Sequence, residues 1–176
     1  MTNQRTYGFI GLGQMGGPMA DNIAKAGLPV HVYDAAGTKD RAHEKAIAHD
    51  SLAGVLANAD TVFLSLPDGP ICTTVAKEIV QVNDRKTSVV IDLSTIGLAA
   101  AQDIDKIFTD AEITYIDAPV SGGRKGAIAG TIAIMGSGPK DVFDAHMDVF
   151  KAFAKNPFHV GEKPGQGQVV KMLNNF

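Results

Sequence analysis

The stretch Tyr7-Gly-Phe-Ile-Gly-Leu-Gly-Gln-Met-Gly-Gly-Pro-Met-Ala20 decides how the chain is read. Tyr7 to Ile10 is a short apolar run stopped by glycine, the pattern of a buried strand. From Gln14 to Ala26 the apolar residues Met15, Met19 and Ile23 recur every fourth position, and Asp21, Asn22 and Lys25 take the opposite face. That spacing predicts a helix. Pro18 fits in its first turn, where a missing N–H costs little, and Gly27 supplies the stop. Val30-His-Val-Tyr-Asp34 follows as a second strand after a two-residue link. The first 34 residues are β-α-β.

The alternation continues outward. Lys39 to Lys45 is expected as helix, Ala46 to Ala48 as a short strand, and Ser51 as the cap of a small helix ending at Ala59. Thr61 to Leu66 is a continuous apolar run stopped by Pro67-Asp-Gly-Pro70. Val75 to Val80 reads as helix, Ser88 to Asp92 as strand, Leu98 to Phe108 as helix and Thr114 to Asp117 as strand. A strand over Thr131 to Met135, one helix over Asp141 to Phe153 and a strand fragment at Phe158 to Val160 complete the pattern. Apolar strands alternating with helices imply an α/β, Rossmann-like, doubly wound and mostly parallel sheet covered on both faces.

Gly11, Gly13 and Gly16 form G-x-G-x-x-G, a weak signal alone in a chain with 19 glycines. Its setting makes it specific: it follows a strand, opens a helix, and Asp34 closes the next strand 21 residues after Gly13. Gly11 permits the tight turn, Gly13 lets backbone approach a pyrophosphate, and Gly16 lets helix pack on strand. The N–H groups and positive dipole end of the helix then face the phosphates, so Gly11, Leu12, Gly13, Gln14, Met15 and Gly16 are the expected cofactor loop. Asp34 is placed to accept hydrogen bonds from a ribose, which favours NAD, because a 2′-phosphate would be repelled. Lys39 and Arg41 just downstream leave NADP open.

Composition narrows the function classes. A 45% apolar, 20% charged chain with a net charge of −3 has no basic block of the kind that binds nucleic acid. The polar stretch before Tyr7 holds no signal-peptide core, and no apolar run is long enough for a membrane span. A single cysteine, Cys72, fits a reducing cytoplasm and reads as a packing or surface residue, not a nucleophile. The five histidines show no metal-ligand spacing, so no metal is expected.

Four segments carry a family resemblance: Phe9 to Ala20 with Asn22 and Lys25-Ala-Gly27; Asp92-Leu-Ser-Thr95; Asp117-Ala-Pro-Val-Ser-Gly-Gly123 with Gly126-Ala127; and Gly165-Gln-Gly-Gln-Val-Val-Lys171 with Asn175. In this order they resemble the β-hydroxyacid dehydrogenases, which include 3-hydroxyisobutyrate dehydrogenase, tartronate semialdehyde reductase and, more distantly, 6-phosphogluconate dehydrogenase. The resemblance covers essentially the whole chain. It implies that Ser121, Gly122 and Gly123 hold a substrate carboxylate, as a hydroxyl and glycine N–H groups on a turn can. It implies that Lys171 is the general acid/base at the alcohol oxygen, with Asn175 at i+4 pointing the same way. Leu66 and Pro67 match cofactor contacts, and Thr95 matches a position near the nicotinamide. The substrate implied is a small β-hydroxy acid.

The resemblance further implies that residues 1–160 form the dinucleotide-binding domain. Residues 161–176 would then begin a helix leading to a second, all-helical domain that closes the pocket and builds a homo-oligomer. Val169, Val170, Met172, Leu173 and Phe176 form a helical pattern without a stopping glycine or proline, so the chain is read as a truncated form, of which weak or no turnover is expected. The competing reading from another class is a dinucleotide-binding module without turnover, a sensor or scaffold. A rival enzyme, an imine-reducing relative, would typically replace the lysine.

Overall fold

A computed structural model describes residues 4–176; the first three residues of the polar N-terminal stretch, read above as lacking a signal-peptide core, lie outside the described residues. The opening unit is β1 (Tyr7–Ile10), α1 (Gly16–Lys25) and β2 (Val30–Tyr33). It continues through β3 (Ile47–Ala48), α2 (Leu52–Asn58), β4 (Thr61–Leu64), α3 (Gly69–Gln81) and β5 (Val89–Asp92). Then come α4 (Leu98–Asp110), β6 (Thr114–Asp117), β7 (Val120–Ser121), α5 (Gly123–Ala129) and β8 (Ile132–Ser137). The last elements are α6 (Lys140–Ala145), α7 (Met147–Phe153), β9 (Ala154–Gly161) and α8 (Gln166–Asn174).

The sheet runs β3-β2-β1-β4-β5-β6-β8-β7, with β9 also on β8. Strands β1 to β6 are parallel; β8 is antiparallel to β6 and β7 and parallel to β9. The chain winds one way from β1 to β3 and the other way from β4 to β6, so the direction switches between β1 and β4. In open α/β sheets that is where a ligand crevice forms, outside the strands' carboxyl ends.

Each central strand is apolar on both faces because each face meets helices. On β1, Phe9 joins one core with Met19, Ile23, Phe63, Phe150 and Phe153, while Ile10 joins the other with Val55, Leu64, Ile79, Ile104 and Phe108. Phe63 of β4 meets Phe153 edge-on at 5.6 Å between ring centres, which anchors α7 beneath the sheet.

Several local expectations are corrected. Lys39 to Lys45 is not a helix but a run of turns. Thr38 Oγ1 accepts the Asp34 N–H, and the Thr38 carbonyl then accepts both Arg41 and Ala42 N–H, so one turn closes; the next bond, from the Ala46 N–H to the His43 carbonyl, closes a separate turn and no helical ladder forms. The expected helix over Asp141 to Phe153 is two helices broken at His146 (φ −103°, ψ 10°). There the His146 ring is held between Thr61 Oγ1 and the Val142 carbonyl, each at 2.7 Å. Pro67-Asp-Gly-Pro70 starts a helix rather than only ending a strand: Asp68 Oδ1 accepts the Ile71 N–H at 2.9 Å, and Pro70 sits in the first turn of α3. The fragment at Phe158 to Val160 belongs to the eight-residue β9.

Candidate active site

Gly11 turns at φ +99°, and its N–H donates to the Tyr33 carbonyl at 3.0 Å. A Cβ at Gly11 would run into the Ser65 carbonyl, and one at Gly16 into the Gly11 carbonyl. These two glycines are demanded by packing of the protein itself. Gly13 is not: a Cβ there would meet nothing within 4 Å. Gly13, Gln14, Met15 and Gly16 instead line a cleft of about 1080 Å³, and no side chain caps the N-terminus of α1. Open space over Gly13 beside an uncapped helix end suits a dinucleotide phosphate.

The cleft runs across the carboxyl ends of the strands. Past β2 it is bordered by Asp34 and Arg41, but not by Lys39. The half-buried Asp34 carboxylate is partly committed, since Oδ2 accepts the Leu12 N–H at 2.7 Å and Oδ1 the Ala36 N–H at 2.8 Å. Leu12 thus serves the loop from within: its amide is bonded to Asp34 and its side chain lies in the core. Leu66 and Pro67 border the cleft after β4 and Thr95 after β5. The Leu66 N–H donates to Ser94 Oγ at 2.9 Å and so joins those two strand ends.

At the far end the cleft is bordered by Gly122, Gly123 and Lys171. Gly122 (φ +134°) and Gly123 (φ +64°) are both left-handed, a pair that glycine adopts without strain and that links β7 to α5. Ser121 faces a smaller adjoining hollow, where its Oγ accepts from Asn174 Nδ2 at 3.0 Å. Asn175 sits at the exposed end of α8 and borders neither hollow. The structure therefore brings Lys171, Gly122 and Gly123 to the cleft that the glycine loop lines, sets Ser121 beside it, and joins Asn174 rather than Asn175 to that serine.

Sequence reasoning missed what places α8. Asp117, buried at the end of β6, accepts at Oδ2 from the Gly165 N–H (3.0 Å) and the Gln168 N–H (3.1 Å), and at Oδ1 from Gln168 Nε2 (2.6 Å). Burial pushes its carboxyl up to about 6; the bonds from Gln168 oppose that shift, and its β5 neighbour Asp92 adds to it. Asp92 is itself raised by burial, while accepting from the Ser94 N–H and Tyr115 OH. Asn22 likewise ties α1 to α5 by donating to the Ala127 carbonyl at 2.8 Å. The signal was present, since these residues stand inside the quoted segments, but nothing local in them shows which groups they meet.

Cys72 is buried, and burial pushes its thiol up to about 12, so it is a packing residue. Among the described residues no cluster of His, Cys, Asp and Glu could hold a metal, and no helix is long and apolar enough to cross a membrane.

Residues 6–161 match a family model described as the NAD binding domain of 6-phosphogluconate dehydrogenase. A 2-(hydroxymethyl)glutarate dehydrogenase of Eubacterium barkeri is 37% identical over 96% of this chain and 57% of its own length. A 3-hydroxyisobutyrate dehydrogenase of Pseudomonas aeruginosa is 34% identical over 96% of this chain and 57% of its own. A solved structure of Mycobacterium tuberculosis 3-hydroxyisobutyrate dehydrogenase with L-serine superposes with a TM-score of 0.91 at 32% identity, covering 98% of this chain and 59% of that one. The chain thus spans a little over half the length of the curated relatives it matches.

Proposed function

Since this chain belongs to the β-hydroxyacid dehydrogenase family, matching it through an NAD-binding domain, we propose that it works in hydride transfer between NAD and a small β-hydroxy acid, with Lys171 moving the hydroxyl proton. The observation that carries this is the meeting of Lys171, Gly122 and Gly123 with the glycine loop in one cleft.

When bound, the nicotinamide supplies the hydride acceptor. The chain's own residues do the rest. The Gly13 to Gly16 backbone receives the phosphates, and Asp34 keeps free lone pairs on both oxygens for ribose hydroxyls. Gly122 and Gly123 offer N–H groups to the substrate carboxylate with Ser121 beside them. The Lys171 amine takes the alcohol proton in oxidation and returns it in reduction, as a positioned acid/base does.

Residues 1–160 are the proposed dinucleotide-binding domain and 161–176 the start of the helix to a helical partner domain. The same reading carries a homo-oligomer in the longer protein, a cytoplasmic setting, no nucleic-acid or membrane partner, and NAD preferred over NADP. The deciding experiment titrates NAD and NADP into the protein and assays a panel of short β-hydroxy acids by NADH formation. NAD binding without turnover of any of them, in this chain and in the longer protein alike, favours the binding module instead.

A further inference from the structure

We propose that Gln168 is a positioning residue for Lys171: its buried amide ties the helix that carries the lysine to the two strand ends that carry Thr95 and the Ser121–Gly123 turn. The proposal rests on the reading of Lys171 as the proton-transfer group.

Gln168 is 3% exposed, and its amide uses every hydrogen-bonding position it has. Oε1 accepts the Ile96 N–H at 2.9 Å and the Gly97 N–H at 3.0 Å. Nε2 donates to the Ser94 carbonyl at 3.0 Å and to Asp117 Oδ1 at 2.6 Å. The amide has only one sensible orientation, because turning it over would set its NH2 against two backbone donors. One side chain therefore spans the Ser94–Gly97 turn, in which Thr95 sits, and Asp117, from which the chain runs directly to Ser121 and Gly122.

The start of α8 is pinned to the same point. Gly167 donates to Ser137 Oγ at 2.9 Å, and that hydroxyl donates to Asp117 Oδ2 at 3.2 Å. A Cβ at Gly167 would run into the Met135 carbonyl, so the helix start is seated on β8 as closely as backbone allows. Lys171 stands three residues beyond Gln168, a single turn away. Gln168 does not border the cleft, so any effect it has on chemistry passes through what it holds. An apolar side chain would fill this buried space without fixing direction, whereas a fully satisfied polar network allows one arrangement. Proton transfer is sensitive to that arrangement, because a displacement of about 1 Å at a reacting group can cost on the order of 100-fold in rate.

The test compares Gln168→Ala, Lys171→Ala and the double variant in the full protein, measuring turnover of a β-hydroxy acid, NAD affinity and amide hydrogen exchange. Gln168→Ala should lower kcat by about 10- to 100-fold and leave NAD affinity within about twofold. Amides of α8 should exchange at least about tenfold faster while those of β1 and β4 stay protected. The double variant should be no slower than Lys171→Ala, because the two residues act as one unit. Additive losses, or unchanged turnover and exchange in Gln168→Ala beside a dead Lys171→Ala, overturn the proposal alone. Retained turnover in Lys171→Ala overturns the underlying reading and the proposal with it. Should Gln168→Ala not fold, Gln168→Glu decides: it keeps the acceptor towards Ile96 and Gly97 and can hydrogen-bond Asp117 only when one of the two carboxyls holds a proton. Its turnover relative to the unmodified protein should recover as pH falls, and a ratio independent of pH overturns the proposal.

Discussion

Asp34 and Leu12 are joined by a 2.7 Å hydrogen bond, from the Leu12 N–H to Asp34 Oδ2. The carboxylate at the end of β2 thus braces the glycine loop, in addition to the ribose-binding role proposed for it. A substitution there acts on both.

Asp34→Ala should weaken NAD binding and narrow the preference over NADP, because the brace and the repulsion of a 2′-phosphate go together. Arg41→Ala, which borders the same end of the cleft, should weaken NADP binding and leave NAD nearly unchanged. Calorimetric titration of both cofactors checks this; equal or better NADP affinity in the unmodified protein contradicts it and assigns the preference to Arg41.

Two glycines of the loop should separate folding from binding. Gly16→Ala drives a Cβ into the Gly11 carbonyl and should cost several kcal/mol of stability, on the order of an overpacked core site. Gly13→Ala meets no protein atom within 4 Å, so thermal unfolding should hardly move while NAD affinity falls at least about tenfold. A Gly13→Ala protein that binds NAD normally would place the phosphates elsewhere.

Lys171→Ala should lower turnover by about two to four orders of magnitude, the usual worth of a positioned acid/base, and leave NAD affinity intact. Ser121→Ala should act mainly on KM for the hydroxy acid and by less, since the N–H groups of Gly122 and Gly123 remain. Steady-state kinetics in the full protein separate the two; near-normal kcat in Lys171→Ala would make it a surface lysine.

The buried Asp117 carboxyl gives stability a pH dependence of known sign. Unfolded, it ionises near its ordinary 3.8; folded, burial delays that to about 6. Its stabilising contribution is therefore present at low pH and is lost as pH rises through about 6, by on the order of 3 kcal/mol. Asp92, raised by the same cause, acts in the same direction. Urea unfolding should show this slope in the unmodified protein and a shallower one in Asp117→Asn; parallel curves would mean that Asp117 titrates alike in both states.

Cys72 should resist a thiol-labelling reagent in the folded protein and react fully in denaturant, because burial raises its thiol to about 12 and denies access. Rapid labelling under native conditions would reveal opening of the core around α3.

Residue order alone sufficed for the β-α-β opening, the glycine loop with Asp34, and the alternation that makes a two-faced sheet. Those signals are local: helical and strand periods show over a few turns, and the loop needs its glycines at fixed spacing. The sequence also contained the Lys171 segment, legible through its resemblance to a family. Which partners meet emerges with the folded chain. Gln168 reaches Asp117 across 51 residues, Asn174 rather than Asn175 reaches Ser121 across 53, and Thr61 holds His146 across 85. The last contact accompanies the break in a segment whose pattern reads as one helix, and the first seats the helix that carries the lysine. Such pairings follow from which strand ends lie side by side, and strand order is a property of the closed sheet that no window of sequence contains.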